Sequence, residues 1–251
     1  MKNVDFRRLR EDFERDGYVF ISGFLSAEEV NELKQKLASF IQNVVPTMAD
    51  NEVFYEGKQD STTLKQLINL NRYDAYFEKI LENSRFDALA AEVLGETVLP
   101  KTLEYFNKPP QIGQPTPPHQ DAYYFKITPP QAATMWLALE DADEENGCVR
   151  YVKGSHKNGM RSHQRTQING FSQCIVDFGR EEDHRNEVAF PAQAGDLLVH
   201  HAMTIHRAGG NASQFRSRRA LGFIYFGESA QEDTEAKNRY QEQLNQQTAN
   251  S

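Results

Sequence analysis

Two stretches of this 251-residue chain concentrate side chains that can bind a metal ion. The first is Pro117-Pro118-His119-Gln120-Asp121. In an extended strand side chains alternate between faces, so His119 and Asp121 project to one side and offer an imidazole nitrogen and a carboxylate oxygen to a single ion. That pair is two-thirds of the facial 2-His-1-carboxylate set that holds Fe(II) with positions left open. By itself a His-x-Asp tripeptide is a common pattern, and a second histidine is required. The other stretch supplies a crowd of them: after the turn Gly195-Asp196 comes Leu197-Leu198-Val199-His200-His201-Ala202-Met203-Thr204-Ile205-His206. In a regular strand His200 and His206 share a face while His201 points away. At least two of these three have the ordinary role of a hydrogen-bonded imidazole. His156, in Gly154-Ser155-His156, sits in a turn, and His163 and His184 lie in polar loops.

The elements that must position these residues divide the chain in two. Phe6, Leu9 and Phe13 recur at helical spacing before Asp16-Gly17, and Tyr18-Val19-Phe20-Ile21 reads as a short strand. Ser26-Ala27-Glu28-Glu29 has the form of a capping box, followed by the apolar stripe Val30, Leu33, Leu37, Phe40 and Ile41. Met48 to Ser61 has no apolar period and reads as a loop or lid over the site. Residues 63–95 return to helical spacing, with Leu64, Leu67 and Ile68 first, then Tyr76, Ile80 and Leu81. From about residue 97 short runs rich in β-formers (LEYF, TMWLAL, CVRYV, DLLVHH, LGFIYF) alternate with turn residues, the texture of a sandwich or barrel. No linker separates the halves. The expectation is one domain over 1–251, with a helical layer to about residue 95, a β core over about 97–226 and a polar tail from Glu232.

Composition narrows the function classes. With 28 Lys+Arg against 36 Asp+Glu the formal charge is −8, which argues against a nucleic-acid footprint. No apolar run approaches the ~18 residues of a membrane span. The first residues lack the apolar stretch of a signal peptide. Two cysteines, Cys148 and Cys174, are too few for a disulfide framework, so the expected compartment is the cytoplasm.

The motifs in order resemble the phytanoyl-CoA dioxygenase-like branch of the Fe(II)/2-oxoglutarate-dependent oxygenases. The resemblance is carried by Pro118-His119-Gln120-Asp121, Trp136-Leu137-Ala138-Leu139-Glu140-Asp141, Asn146-Gly147-Cys148, Gly154-Ser155-His156 and Gly195-Asp196. It continues with His206, Asn211, Ser213 and Arg218-Arg219-Ala220, and more loosely with Asp16-Gly17-Tyr18. It implies an α+β chain with a mainly β core, a double-stranded β-helix (jelly roll) whose helical N-terminal layer packs on one sheet. It implies His206 as the third metal ligand, since the family's histidine follows the Gly-Asp turn by about this distance. It further implies an arginine for the distal carboxylate of 2-oxoglutarate. Arg216, Arg218 and Arg219 compete for that role, and the family pattern selects Arg218, with one extra residue between it and His206. Asn107, Thr134 and Trp136 are the softer cosubstrate contacts.

The implied activity is hydroxylation of a small-molecule metabolite with Fe(II), 2-oxoglutarate and O2, releasing succinate and CO2. Related halogenases lack the carboxylate that Asp121 supplies here. The alternative is a jelly-roll sensor or binding module that keeps the metal without turnover. For the substrate, Tyr123 and Tyr124 follow the ligand pair, and Arg161 with Arg165 hints at an anion, although a solvated loop is the commoner role for such charge. A second cover is expected at Arg161–Gly170.

Overall fold

The computed structural model describes residues 6–57, 60–168, 171–236 and 238–239. Ser26 starts the helix Ala27–Asn43: its Oγ accepts from the Glu29 N–H while the Glu29 carboxylate accepts from the Ser26 N–H. Val30, Leu33, Leu37 and Phe40 then face inward. With Phe6–Asp16, Ala75–Leu81 and Arg85–Leu94 this helix forms one layer. It lies on a seven-stranded antiparallel sheet in the order Tyr18–Ile21, Leu197–His201, Ala132–Ala138, Arg218–Gly227, Val98–Lys108, Leu64–Leu67, Val53–Tyr55.

Strand alternation sorts the core. Met135, Leu137, Val199, Phe223, Leu103 and Tyr105 pack against the helices, while Trp136, Ala138, Leu198 and Ala220 point the other way, toward Cys148, Val149 and Tyr151. Those last residues belong to or adjoin a four-stranded sheet ordered Glu187–Phe190, Val149–Val152, His206–Ala208, Thr116–His119. The two sheets face each other as a jelly roll, and the functional side chains lie between them. Leu137 is fully buried on the helical side, so Leu137→Ala is expected to lower stability by ~2–5 kcal/mol, measured by chemical denaturation.

Two segments depart from the expected elements. Leu64–Leu67 is a strand, not the start of a helix, because its backbone pairs with Val98–Lys108 and Val53–Tyr55. All four of its residues are buried, Lys65 and Gln66 included. The recurrence of Leu64, Leu67 and Ile68 mimicked a helical period. The stretch from Met48 carries turns and the strand Val53–Tyr55, which closes the edge of the large sheet. It is a sheet edge rather than a free cover, and Met48 is buried. At the other expected cover, His163–Ile168 pairs with Phe171–Ile175 in a two-stranded ribbon. Residues 58–59 and 169–170 of those two covers, and the polar tail beyond residue 239, lie outside the described residues.

Candidate active site

His119 is the last residue of its strand, and Asp121 opens the short helix Ala122–Phe125 in helical backbone conformation. The two meet through a strand-to-helix turn, not along one extended strand, with His119 Nε2 3.4 Å from Asp121 Oδ1. His206 pairs in register with His119, and its Nε2 lies 3.5 Å from the same Oδ1. The three ligand atoms fall within 4.8 Å of one another.

The histidine-rich stretch is two strands in two sheets. Leu197–His201 ends in the large sheet, Ala202 to Ile205 cross over, and His206 begins a strand of the small one. His200 and His206 therefore face each other across the sandwich, ring centroids 4.2 Å apart, while His201 turns toward the helices and Phe13. Gly17 makes the crossover possible. Its φ of +85° and the approach of Thr204 leave no room for a Cβ, and its carbonyl accepts from Thr204 Oγ1 and the His201 N–H.

Hydrogen bonds fix how each ligand presents itself. His119 Nδ1–H donates to the Pro117 carbonyl at 2.8 Å and His206 Nδ1–H to the Thr204 carbonyl at 3.0 Å, so both turn an Nε2 lone pair toward Asp121 Oδ1. Asp121 Oδ2 is taken by two donors, Thr134 Oγ1 at 2.6 Å and His200 Nε2 at 3.0 Å. The Tyr151 hydroxyl donates to His200 Nδ1 at 2.9 Å, which sets that tautomer. Burial raises the Asp121 carboxyl, but the proximity of His206 and the hydrogen bond from His200 outweigh it and hold it well below the usual range. Burial, then the proximity of His119 and His200, keeps His206 well below the ordinary imidazole value. An ionised Asp121 beside a neutral His206 is the protonation state that a divalent ion requires of these two groups. The donor set of two imidazole nitrogens and one carboxylate oxygen suits Fe(II) with open positions. Because His200 orients a ligand, His200→Phe is expected to weaken Fe(II) affinity ~10–100-fold, measured by competition with a chelator. An unchanged affinity would leave Thr134 as the orienting group.

Beside this cluster a cavity of about 240 Å³ opens between the sheets. Arg218 lines it and is only 4% exposed; its guanidinium lies 5.3 Å from the Trp136 ring and its Nε donates to the Gly147 carbonyl. Burial lowers its pKa to about 10, and among the described residues no carboxylate pairs with it. Arg216, in contrast, is tied to Asp143 and Glu145, and Arg219 to Glu140. A buried charge without a counterion is costly unless a ligand supplies one. The Asn146-Gly147 turn aims this arginine: Asn146 is fully buried and hydrogen-bonds Asp141 and Asp143 backbone, and a Cβ on Gly147 would strike the Gly209 carbonyl. Lys108, the register partner of Arg218, donates to the Gln114 carbonyl and Thr116 Oγ1. Lys65 is bridged to Glu56 at 3.2 Å.

The sequence pattern described as phytanoyl-CoA dioxygenase (PhyH) matches residues 13–220. The chain belongs to the phytanoyl-CoA dioxygenase family. Phytanoyl-CoA dioxygenase 1 of Oryza sativa subsp. japonica is 30% identical over 241 residues, spanning 83% of this chain and 84% of that protein. A probable alpha-ketoglutarate-dependent hypophosphite dioxygenase of Stutzerimonas stutzeri is 26% identical over 230 residues, spanning 90% of this chain and 79% of that one. Among solved structures, the epimerase SnoN in complex with Fe3+, alpha ketoglutarate and nogalamycin RO is similar with a TM-score of 0.71 at 26% identity, covering 90% of this chain and 84% of that chain. EctD from S. alaskensis, with 2-oxoglutarate and 5-hydroxyectoine, shares the fold with a TM-score of 0.73 at 20% identity, covering 88% of this chain and 76% of that chain. This member of the phytanoyl-CoA dioxygenase family is an Fe(II)- and 2-oxoglutarate-dependent oxygenase.

Within this phytanoyl-CoA dioxygenase-family site the remaining expected residues scatter. Trp136 lines the cavity and Thr134 does too, but the Thr134 hydroxyl is committed to Asp121. Asn107 borders the cavity, yet its amide donates to the Leu64 carbonyl and its register partner is the outward-facing Arg219. Tyr124 lines the cavity with its ring edge toward His119. Tyr123 does not; it stacks on His163. Arg161 does not line the cavity either; it pairs with Asp177 at 2.6 Å and Asp183 at 2.7 Å. Sequence reasoning missed Tyr151, Glu104, Gln66, Lys65 and Lys108. Sheet pairing brings them to the cavity. Among the described residues no helix is long and apolar enough to cross a membrane.

Proposed function

We propose that this protein hydroxylates a small-molecule metabolite, with His119, Asp121 and His206 as the iron ligands and Arg218 as the clamp for the distal carboxylate of 2-oxoglutarate. The observation that carries the reading is the buried Arg218 guanidinium, paired with no carboxylate among the described residues, in the same cavity as the three-ligand cluster. A planar guanidinium binds a carboxylate through two parallel hydrogen bonds, and Trp136 below it limits its freedom. A binding module without turnover has no use for such a clamp.

When bound, Fe(II) with 2-oxoglutarate and O2 supplies the oxidising chemistry, in which the keto acid yields succinate and CO2 and one oxygen atom enters a substrate C–H bond. The chain's own part is to hold and shield. His119 and His206 present Nε2 atoms, oriented by their Nδ1 hydrogen bonds, and Asp121 offers Oδ1 while Thr134 and His200 keep Oδ2 occupied. Tyr124, Phe125, Val149 and Ile224 give the cavity apolar walls that exclude water from the reacting groups. Compounds named with the relatives, from hypophosphite to nogalamycin RO, differ too widely to transfer. Action in the cytoplasm on a free small molecule, without nucleic acid, belongs to the same proposal. The test is succinate release by Fe(II)-loaded protein with 2-oxoglutarate, across a panel of metabolites. Stimulation by one of them supports the reading, and failure of 2-oxoglutarate to bind at all overturns it.

A further inference from the structure

The same cavity contains a carboxylate that the iron and cosubstrate reading does not use. Glu104 lines it from the strand Val98–Lys108. It lies four residues from Lys108, so the acidic and cationic parts of the wall are separated by ~13 Å along the strand. Glu104 Oε2 accepts from Gln66 Nε2 at 3.1 Å, and among the described residues no cation pairs with it. Burial, with the nearby charge of Asp121 adding to it, pushes its pKa up to about 7. Gln66 is itself 7% exposed and lines the cavity, and its Oε1 has no hydrogen-bond partner. One small apolar enclosure thus holds a buried amide oxygen, Gln66 Oε1, without a donor beside a carboxyl group that, among the described residues, accepts only from a neutral amide. Either group alone is costly to bury; together they ask for a ligand that donates.

The surrounding walls favour a charged donor. Phe106, Tyr124 and Phe125 line the cavity. The Phe106 ring lies over Gly222, the register partner of Glu104, where a Cβ would come within 2.6 Å of it. Aromatic faces beside a carboxylate form the usual environment for a cationic nitrogen. The cavity of about 240 Å³ must also hold 2-oxoglutarate, so the partner is small.

We propose that Glu104 and Gln66 form the substrate-recognition subsite and that the group they bind is a protonated nitrogen on a small substrate. The inference rests on the cavity being the substrate site of an Fe(II)/2-oxoglutarate oxygenase. The ammonium supplies the counter-charge that Glu104 lacks, its remaining N–H donates to Gln66 Oε1, and the rest of the molecule lies against the apolar wall near the ligand cluster. Glu104 acts here as a specificity residue, and no bond is made or broken at it.

The test is equilibrium dialysis of anaerobic protein loaded with Fe(II) and 2-oxoglutarate against three butyl probes: butylammonium, 1-butanol and butyrate. Butylammonium is expected to bind at least roughly tenfold more tightly than either of the others. Glu104→Gln, nearly isosteric, should remove that preference while leaving 1-butanol unchanged. Gln66→Leu should weaken butylammonium selectively. The proposal is overturned if butyrate binds as well as butylammonium, if no probe binds the wild type, or if Glu104→Gln keeps the preference. Fe(II) and 2-oxoglutarate affinities measured on the same wild-type sample separate this outcome from failure of the oxygenase reading, which would show as loss of cosubstrate binding itself.

Discussion

His206→Ala is expected to abolish tight Fe(II) binding and, with it, succinate formation. Groups that merely orient a metal ligand are worth ~10–100-fold in affinity, so removing one of only three ligands must exceed that. The substitution also leaves Asp121 Oδ1 with His119 alone at 3.4 Å, too few donors to hold a divalent ion against water. His201→Ala is the control that tests the geometry. His201 sits one residue from His200 but on the opposite face of the sheet, its ring packed near Phe13 and His156. It should keep its metal. Metal content after anaerobic loading and desalting decides between them, and retention in the His206 variant with loss in the His201 variant would reverse the assignment of ligands.

Arg218→Ala is expected to weaken 2-oxoglutarate binding by at least ~30-fold. Truncating one member of a buried, hydrogen-bonded charge pair costs ~2–5 kcal/mol, each 1.4 kcal/mol being tenfold. Arg219→Ala should do far less, because its side chain does not line the cavity and pairs with Glu140. Arg218→Lys should fall between the two, keeping the charge but losing the flat fork that rests on Trp136. Cosubstrate dissociation constants of the three variants, measured with Fe(II) present and O2 excluded, test this. Equal losses at 218 and 219 would place the clamp elsewhere.

Short-range regularities were legible in the sequence because their physics is local. The capping box at Ser26, the alternation that sends Met135 and Leu137 one way and Trp136 the other, and the nearness of His119 to Asp121 all depend on residues a few positions apart. The sequence also placed His200 and His206 on one side and His201 on the other, although it pictured a single strand. Parity survived the crossover only because the two sheets face each other. What the tertiary structure decided involves partners far apart in the chain. Leu64–Leu67 becomes a strand through hydrogen bonds to Val98–Lys108, against its own helical spacing. His200 gains its tautomer from Tyr151, 49 residues away, and its purpose from Asp121, 79 away. Among three neighbouring arginines, local sequence offers no physical distinction; nearby carboxylates neutralise Arg216 and Arg219, while Arg218, buried over Trp136, has no counterion among the described residues. The same cause pairs Arg161 with Asp177 and Asp183 outside the cavity and brings Glu104 to its wall. Whether a charge is paired or waiting depends on what the fold brings beside it, and that cannot be read from the charge or its immediate neighbours in the chain.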